Sequence, residues 1–96
     1  MNDLLICSAA EYEYVEALSW YSERSMQVAE RFDSEFDQAL LTIANDPERF
    51  PRCDDRHRFY LTRNFPFQII YRQQQAHWVV IAIAHTARDP GYWSTR

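Results

Sequence analysis

Phe67-Gln68-Ile69-Ile70-Tyr71-Arg72-Gln73-Gln74-Gln75-Ala76-His77-Trp78-Val79-Val80-Ile81-Ala82-Ile83-Ala84 is the stretch from which the fold class follows. Its two ends are rich in β-branched and aromatic residues, which suit a pleated, half-buried surface. A short glutamine-rich break, Gln73 to Ala76, separates them. That spacing predicts two strands, Phe67 to Gln73 and His77 to Ala84, joined as a hairpin. Upstream, Arg58 to Thr62 has the same character, and Asn64-Phe65-Pro66 is short enough to be a second hairpin connection. Three strands in succession make an antiparallel meander, and its apolar face needs a covering layer.

The first half supplies the cover. Ala10, Tyr14, Ala17, Leu18 and Tyr21 recur at helical spacing, with Glu11, Glu13, Glu16 and Glu23 mostly on the other faces. Val28, Ala29, Phe32, Phe36, Ala39, Leu40 and Ile43 repeat the pattern. Ser8 with Glu11 reads as a capping box for the first helix, and Ser25 as a cap for the second. Asn45-Asp46-Pro47 stops the second helix, because proline lacks a donor and disfavours helical backbone before it. Two amphipathic helices joined by a few residues predict a helical hairpin. Leu4-Leu5-Ile6-Cys7 ahead of them reads as a strand. Residues 46–56 read as a loop. Asp89-Pro90-Gly91 is a turn, after which Tyr92 and Trp93 are expected to pack back on the sheet. The expected architecture is a two-layer α+β domain, β-α-α-β-β-β, with a small, mainly antiparallel sheet over residues 1–96. A chain of this size buries only about 60–65% of its unfolded surface, so its core is small.

Composition narrows the function. With 47% hydrophobic and 16% aromatic residues and one glycine, the chain is a folded protein and not a disordered one. No apolar run reaches the roughly 18–20 residues needed to cross a bilayer. The N-terminus lacks the basic region of a signal peptide, so a cytoplasmic location and no membrane partner are expected. Cys7 and Cys53 are then expected as free thiols. Neither belongs to a metal-ligand spacing, so no metal or cofactor is expected. Charge is uneven. Residues 1–50 carry 11 acids against 3 arginines, and residues 51–96 carry 3 acids against 7 arginines. The cationic half suits an acidic partner or a phosphate, or simply a solvated sheet face. A pI near 5.2 argues against a dedicated, direct DNA binder.

Five landmarks in order then resemble the RelE/ParE toxin superfamily. They are Trp20-Tyr21; Ala29-Glu30-Arg31-Phe32; Asp46-Pro47-Glu48-Arg49-Phe50-Pro51; Phe65-Pro66-Phe67-Gln68-Ile69-Ile70-Tyr71-Arg72; and Ala84-His85-Thr86-Ala87-Arg88-Asp89-Pro90-Gly91-Tyr92-Trp93. The last, ending in Tyr-Trp, is more similar to the ParE and plasmid-stabilisation branch than to RelE. The resemblance implies the toxin of a type II toxin–antitoxin pair. RelE-like members cleave mRNA on the ribosome, ParE-like members poison DNA gyrase, and an antitoxin silences either through its C-terminal segment.

Cleaving RNA needs an acid and a base at the 2′-hydroxyl and leaving oxygen, and cations on the phosphate. The RelE-like pattern has an arginine where this chain has neutral Gln68, which cannot make a bidentate phosphate contact. Phe59, Tyr60 and Leu61 stand in the stretch where RelE-like chains carry lysines. Ala87 precedes Arg88 where two arginines are common. His85, Arg88 and Tyr92 remain as weak catalytic candidates. The tyrosine, read as lacking nearby cations, would be a poor acid or base. His85 reads more simply as a strand-end residue whose ring holds the tail. His57 and His77 are expected at the surface. Arg63, Arg72, Arg88 and Trp93 are the expected partner contacts, with a local Arg88–Asp89 ion pair or a core Trp93 as simpler roles. Trp20-Tyr21 is expected to pack between helix and sheet.

Three functions stay open on these residues. The first is inhibition of DNA gyrase by binding, neutralised by a cognate antitoxin with an acidic C-terminal segment. The second is ribosome-dependent mRNA cleavage. The third is a non-toxic scaffold that only binds antitoxin. A sheet edge and an apolar groove beside the helical hairpin are the expected seat of that antitoxin.

Overall fold

A computed structural model describes residues 3–96. The elements run β1 (Leu4–Ile6), α1 (Ser8–Arg24), α2 (Met26–Asn45), β2 (Arg58–Leu61), β3 (Phe67–Gln74) and β4 (His77–His85). The sheet order is β1-β4-β3-β2. β1 runs parallel to β4, with Leu4 opposite Trp78 and Ile6 opposite Val80. β2–β3 and β3–β4 are antiparallel. The expected order and the α+β layering are both present, and none of the helices described is long and apolar enough to cross a membrane.

The Ser8–Glu11 capping box does not form. Cys7 is the cap residue, and its side chain makes no capping bond. Cys7 N–H donates to Val80 C=O at 3.0 Å, which prolongs the β1–β4 pairing, while Cys7 C=O accepts from Glu11 N–H at 3.0 Å. Strand pairing therefore holds the backbone up to Cys7, and Ser8 falls inside the first turn. Ser25 does cap α2, its hydroxyl accepting from Val28 N–H at 3.2 Å. Ser25→Ala should lower stability by about 1 kcal/mol, and Ser8→Ala by a few tenths at most. Paired urea denaturation checks this; equal losses would contradict the cap assignment.

β4 does not alternate cleanly. Its register against β3 slips between Ile70 and Tyr71, so that Ile70 faces Ala82 while Tyr71 faces Val80, leaving Ile81 as the extra residue of a bulge. Trp78, Val80 and Ile83 consequently join the core under the helices with Phe32, Phe36 and Tyr71. Ile81, Ala82 and Ala84 join a second cluster on the opposite face, with Ile70 and Trp93. The tail carrying Tyr92 and Trp93 covers that back face, as expected from the turn before it.

Two aromatic or ring positions differ from expectation. Trp20 does not pack between helix and sheet: it is 52% exposed, with the Arg24 guanidinium 3.6 Å above its ring. Its neighbour Tyr21 turns inward instead, packing on Phe32 of α2 and Phe65 of the β2–β3 loop with ring centroids 5.0 and 5.1 Å away. His57, expected at the surface, is 2% exposed. Its Nδ1–H donates to the Asp54 carboxylate at 2.9 Å, its Nε2 accepts from Arg72 at 3.0 Å, and its ring packs on Trp93 at 4.8 Å. Both ring nitrogens are satisfied, so burial carries little penalty. Tyr71 fixes the 46–56 loop from inside, its hydroxyl donating to Pro47 C=O at 2.6 Å. Burial pushes that phenol up to about 12.

Candidate functional site

β1 ends opposite Val80, so the outward backbone groups of β4 beyond that point need other partners. Glu13 on α1 provides one: Ile83 N–H donates to its Oε1 at 3.0 Å. Arg96 provides another, donating to Ile81 C=O at 3.0 Å. Arg96 also holds the Glu13 carboxylate at 2.8 and 3.1 Å. Tyr92 donates its hydroxyl to Glu13 Oε2 at 2.5 Å, and Arg88 reaches the same oxygen at 3.2 Å. One carboxylate, its side chain only 9% exposed, thus ties the whole C-terminal tail to α1 and β4. It was expected on a solvated helix face with the other glutamates. No local signal marks it, since its partners lie 70 to 83 residues away.

Burial alone would raise the Glu13 carboxyl. The hydrogen bonds from Arg96, Tyr92 and the Ile83 amide, together with the Arg96 charge, outweigh burial and hold it below the ordinary 4.5. A folded-state value lowered in this way adds stability that is fully present above the ordinary value and is lost as pH falls through the lower one. Urea midpoints should therefore drop below about pH 4.5 in the natural chain. The Glu13→Gln variant should lose part of that slope, and an unchanged slope would remove Glu13 as a cause.

The three catalytic candidates gather at this end of the sheet, but their polar atoms are engaged. Tyr92 does not lack cations: Arg88 lies 3.6 Å and Arg96 5.1 Å from its ring centre. Burial and its bond to Glu13 nonetheless push the phenol up to about 12. It is a hydrogen-bond donor locked onto a carboxylate, ill suited to proton transfer near neutrality. His85 Nδ1 accepts from Ala87 N–H at 3.0 Å, which leaves the neutral ring's proton on Nε2 and no free lone pair for a base. That is the tail-holding role read from its position. Arg88 pairs with Glu13 and not with its neighbour Asp89.

The expected partner contacts divide. Arg63 is exposed, its backbone N–H donating to Glu35 at 3.0 Å. Arg88 is exposed at the tail. Arg72 is 7% exposed and held by His57 and by Gln74, the latter at 3.2 Å. Trp93 is buried against His57. These two offer no surface to a partner in this conformation, because strand β3 and the tail turn them onto the back face of the sheet. An apolar groove beside the helical hairpin was expected, and one is present, although the sequence did not indicate which residues line it. Ala17, Trp20, Pro66, Phe67 and Ile83 line a groove of about 610 Å³ beside α1, whose charged lining is Glu13, Glu16 and Arg88.

The family model described as the ParE toxin of the type II toxin–antitoxin system, parDE, matches residues 7–90. The chain belongs to the ParE toxin family. A solved structure titled "Chromosomal ParDE TA system from P. aeruginosa" shares the fold at a TM-score of 0.77 and 12% identity, over 88% of this chain and 96% of that one. No curated protein sequence matches the chain. The ParE match spans α1 through the turn at Pro90, so the Glu13 anchor and Arg88 fall inside it, while Tyr92, Trp93 and Arg96 lie just beyond. The chain is thereby a toxin of a type II toxin–antitoxin system.

Proposed function

We propose that this ParE-family toxin acts in the cytoplasm by binding DNA gyrase and blocking its cycle, without chemistry of its own. The observation that carries this reading is the Glu13 anchor: Tyr92 and Arg96 are locked in holding the tail, Arg88 pairs with the same carboxylate from an exposed position, and His85 holds the turn after β4. What remains at this end of the sheet is an ordered surface, which suits a binding inhibitor better than a nuclease. Purified chain added to gyrase, ATP and relaxed plasmid should abolish supercoiling and accumulate linear DNA. Unimpaired supercoiling at high excess, with mRNA cleaved in a translating extract, would replace this reading with the ribosome-dependent one. Inactivity in both assays would leave an antitoxin-binding scaffold.

The cognate antitoxin is proposed to lay an apolar, acidic segment along the Trp20 groove, with its carboxylates toward Arg88 and Arg24. Exposed tryptophan and arginine are the residue types that dominate interface energetics. Trp20→Ala should therefore weaken the toxin–antitoxin complex by about 2 kcal/mol, roughly 30-fold in Kd. Arg88→Ala should add a smaller loss that fades with salt. Titration calorimetry at two ionic strengths reads both. Arg72, being buried, is unsuited to that test.

A further inference from the structure

β1 ends the sheet, pairing only with β4 among the described residues. Leu5 and Ile6 on it, and Leu41 on α2, are large apolar side chains left exposed. Between β1 and α2 run two adjoining grooves of about 510 and 520 Å³ that share Leu4, Ile6, Asp37 and Leu40. Their charged lining is entirely acidic: Glu11, Asp33 and Asp37 in one, Asp3 and Asp37 in the other, with no arginine among the described residues. All four acids are exposed. Asp33 accepts a hydrogen bond from Tyr14, which fixes its carboxylate at the rim. An acidic segment fitted to Arg88 would be repelled here.

We propose that the β1 edge and its groove dock an extended peptide segment in which aliphatic residues alternate with arginine or lysine. Such a segment adds a strand beside β1 through main-chain hydrogen bonds. Its aliphatic side chains cover Leu5, Ile6 and Leu41, and its cations meet Asp37, Asp33 and Glu11. A second copy of this chain is a poor occupant, since edge-to-edge pairing of two β1 strands would bring the same acids face to face. The site meets the Trp20 groove at Ile83, but the Trp20 groove carries Arg88 beside Glu13 and Glu16, whereas the lining here carries acids alone.

The test uses the full chain and three synthetic peptides of equal length: alternating valine and arginine, alternating valine and glutamate, and the valine–arginine composition interrupted by prolines. Fluorescence anisotropy at low ionic strength should show binding of the first only. Amide shifts on binding should centre on Leu5 and Ile6. Asp37→Arg, an exposed change, should weaken binding roughly tenfold. Glu23→Arg, an exposed reversal elsewhere on the helical hairpin, should leave it unchanged. Equal binding of the proline-interrupted peptide would overturn strand addition. Equal losses from the two reversals would reduce the attraction to net charge and overturn the site. Failure of the first peptide to bind, or a salt-insensitive dimer that shifts Leu5 and Ile6, would also overturn it.

Discussion

Phe32→Ala is expected to cost about 3–5 kcal/mol, the largest loss from any single truncation in this chain. Phe32 is fully buried, and its ring meets five others. Tyr21 and Phe36 lie at 5.0 and 4.9 Å, Phe65 and Phe67 at 5.1 and 5.5 Å, and Tyr14 at 5.7 Å. It therefore joins α1, α2, the β2–β3 loop and β3 at one point. Alanine removes both the transfer free energy of the ring and the edge-to-face contacts, and leaves a cavity that four elements would have to move to fill. A domain of this size has about 5–15 kcal/mol in all, so about a fifth or more of its stability should go. Urea denaturation should show a lower midpoint with an unchanged slope. Phe32→Leu, which keeps most of the volume, should cost less than half as much. A loss below about 1 kcal/mol for alanine would mean that the aromatic cluster is not the centre of the core.

The second large effect is expected at Glu13. Glu13→Ala leaves Tyr92 and the Ile83 amide without their acceptor and Arg96 with only Ile81 C=O, and removing one side of a largely buried ionic network costs about 3 kcal/mol. For a domain near 100 residues that is roughly 12–24 °C in Tm. Arg88 contributes little to this figure, because its side chain is 54% exposed. The loss should be local as well as global. Trypsin should cut after Arg88 in the variant under native conditions and leave it intact in the natural chain. Glu13→Gln, which can still accept from Tyr92 or the amide, should fall between the two. A tail equally resistant in all three proteins would show that Trp93 packed on His57 suffices to hold it.

Much of this architecture was legible before any coordinates. The 3.6-residue spacing of Phe32, Phe36, Ala39 and Ile43 defined the buried face of α2, and Pro47 defined its end. The hairpins around Phe65-Pro66 and Gln75-Ala76 fixed the order of β2, β3 and β4. These readings succeed because helix and hairpin formation depends on neighbours within a few residues, which the sequence displays directly. The landmarks that resemble ParE toxins lie along the same elements. The Ser8–Glu11 motif was also local, yet it yielded to the long-range pairing of Cys7 with Val80.

By itself, then, the sequence determined the element order, the helix faces, the Ser25 cap and the family. The tertiary structure alone decided which polar residues are buried and which surfaces are open. The Ile81 bulge turned consecutive residues of β4 onto one face, which no alternation pattern indicates. His57 went inside because Asp54 and Arg72 meet it there. Glu13 became an anchor because β1 is too short to satisfy β4, and the tail returns to the same spot. The acids of the helical hairpin came to line the open β1 edge, while Arg88 was placed beside Trp20. Each of these outcomes joins groups far apart in the chain, and their free energy depends on closure of the whole fold and not on any local run of residues.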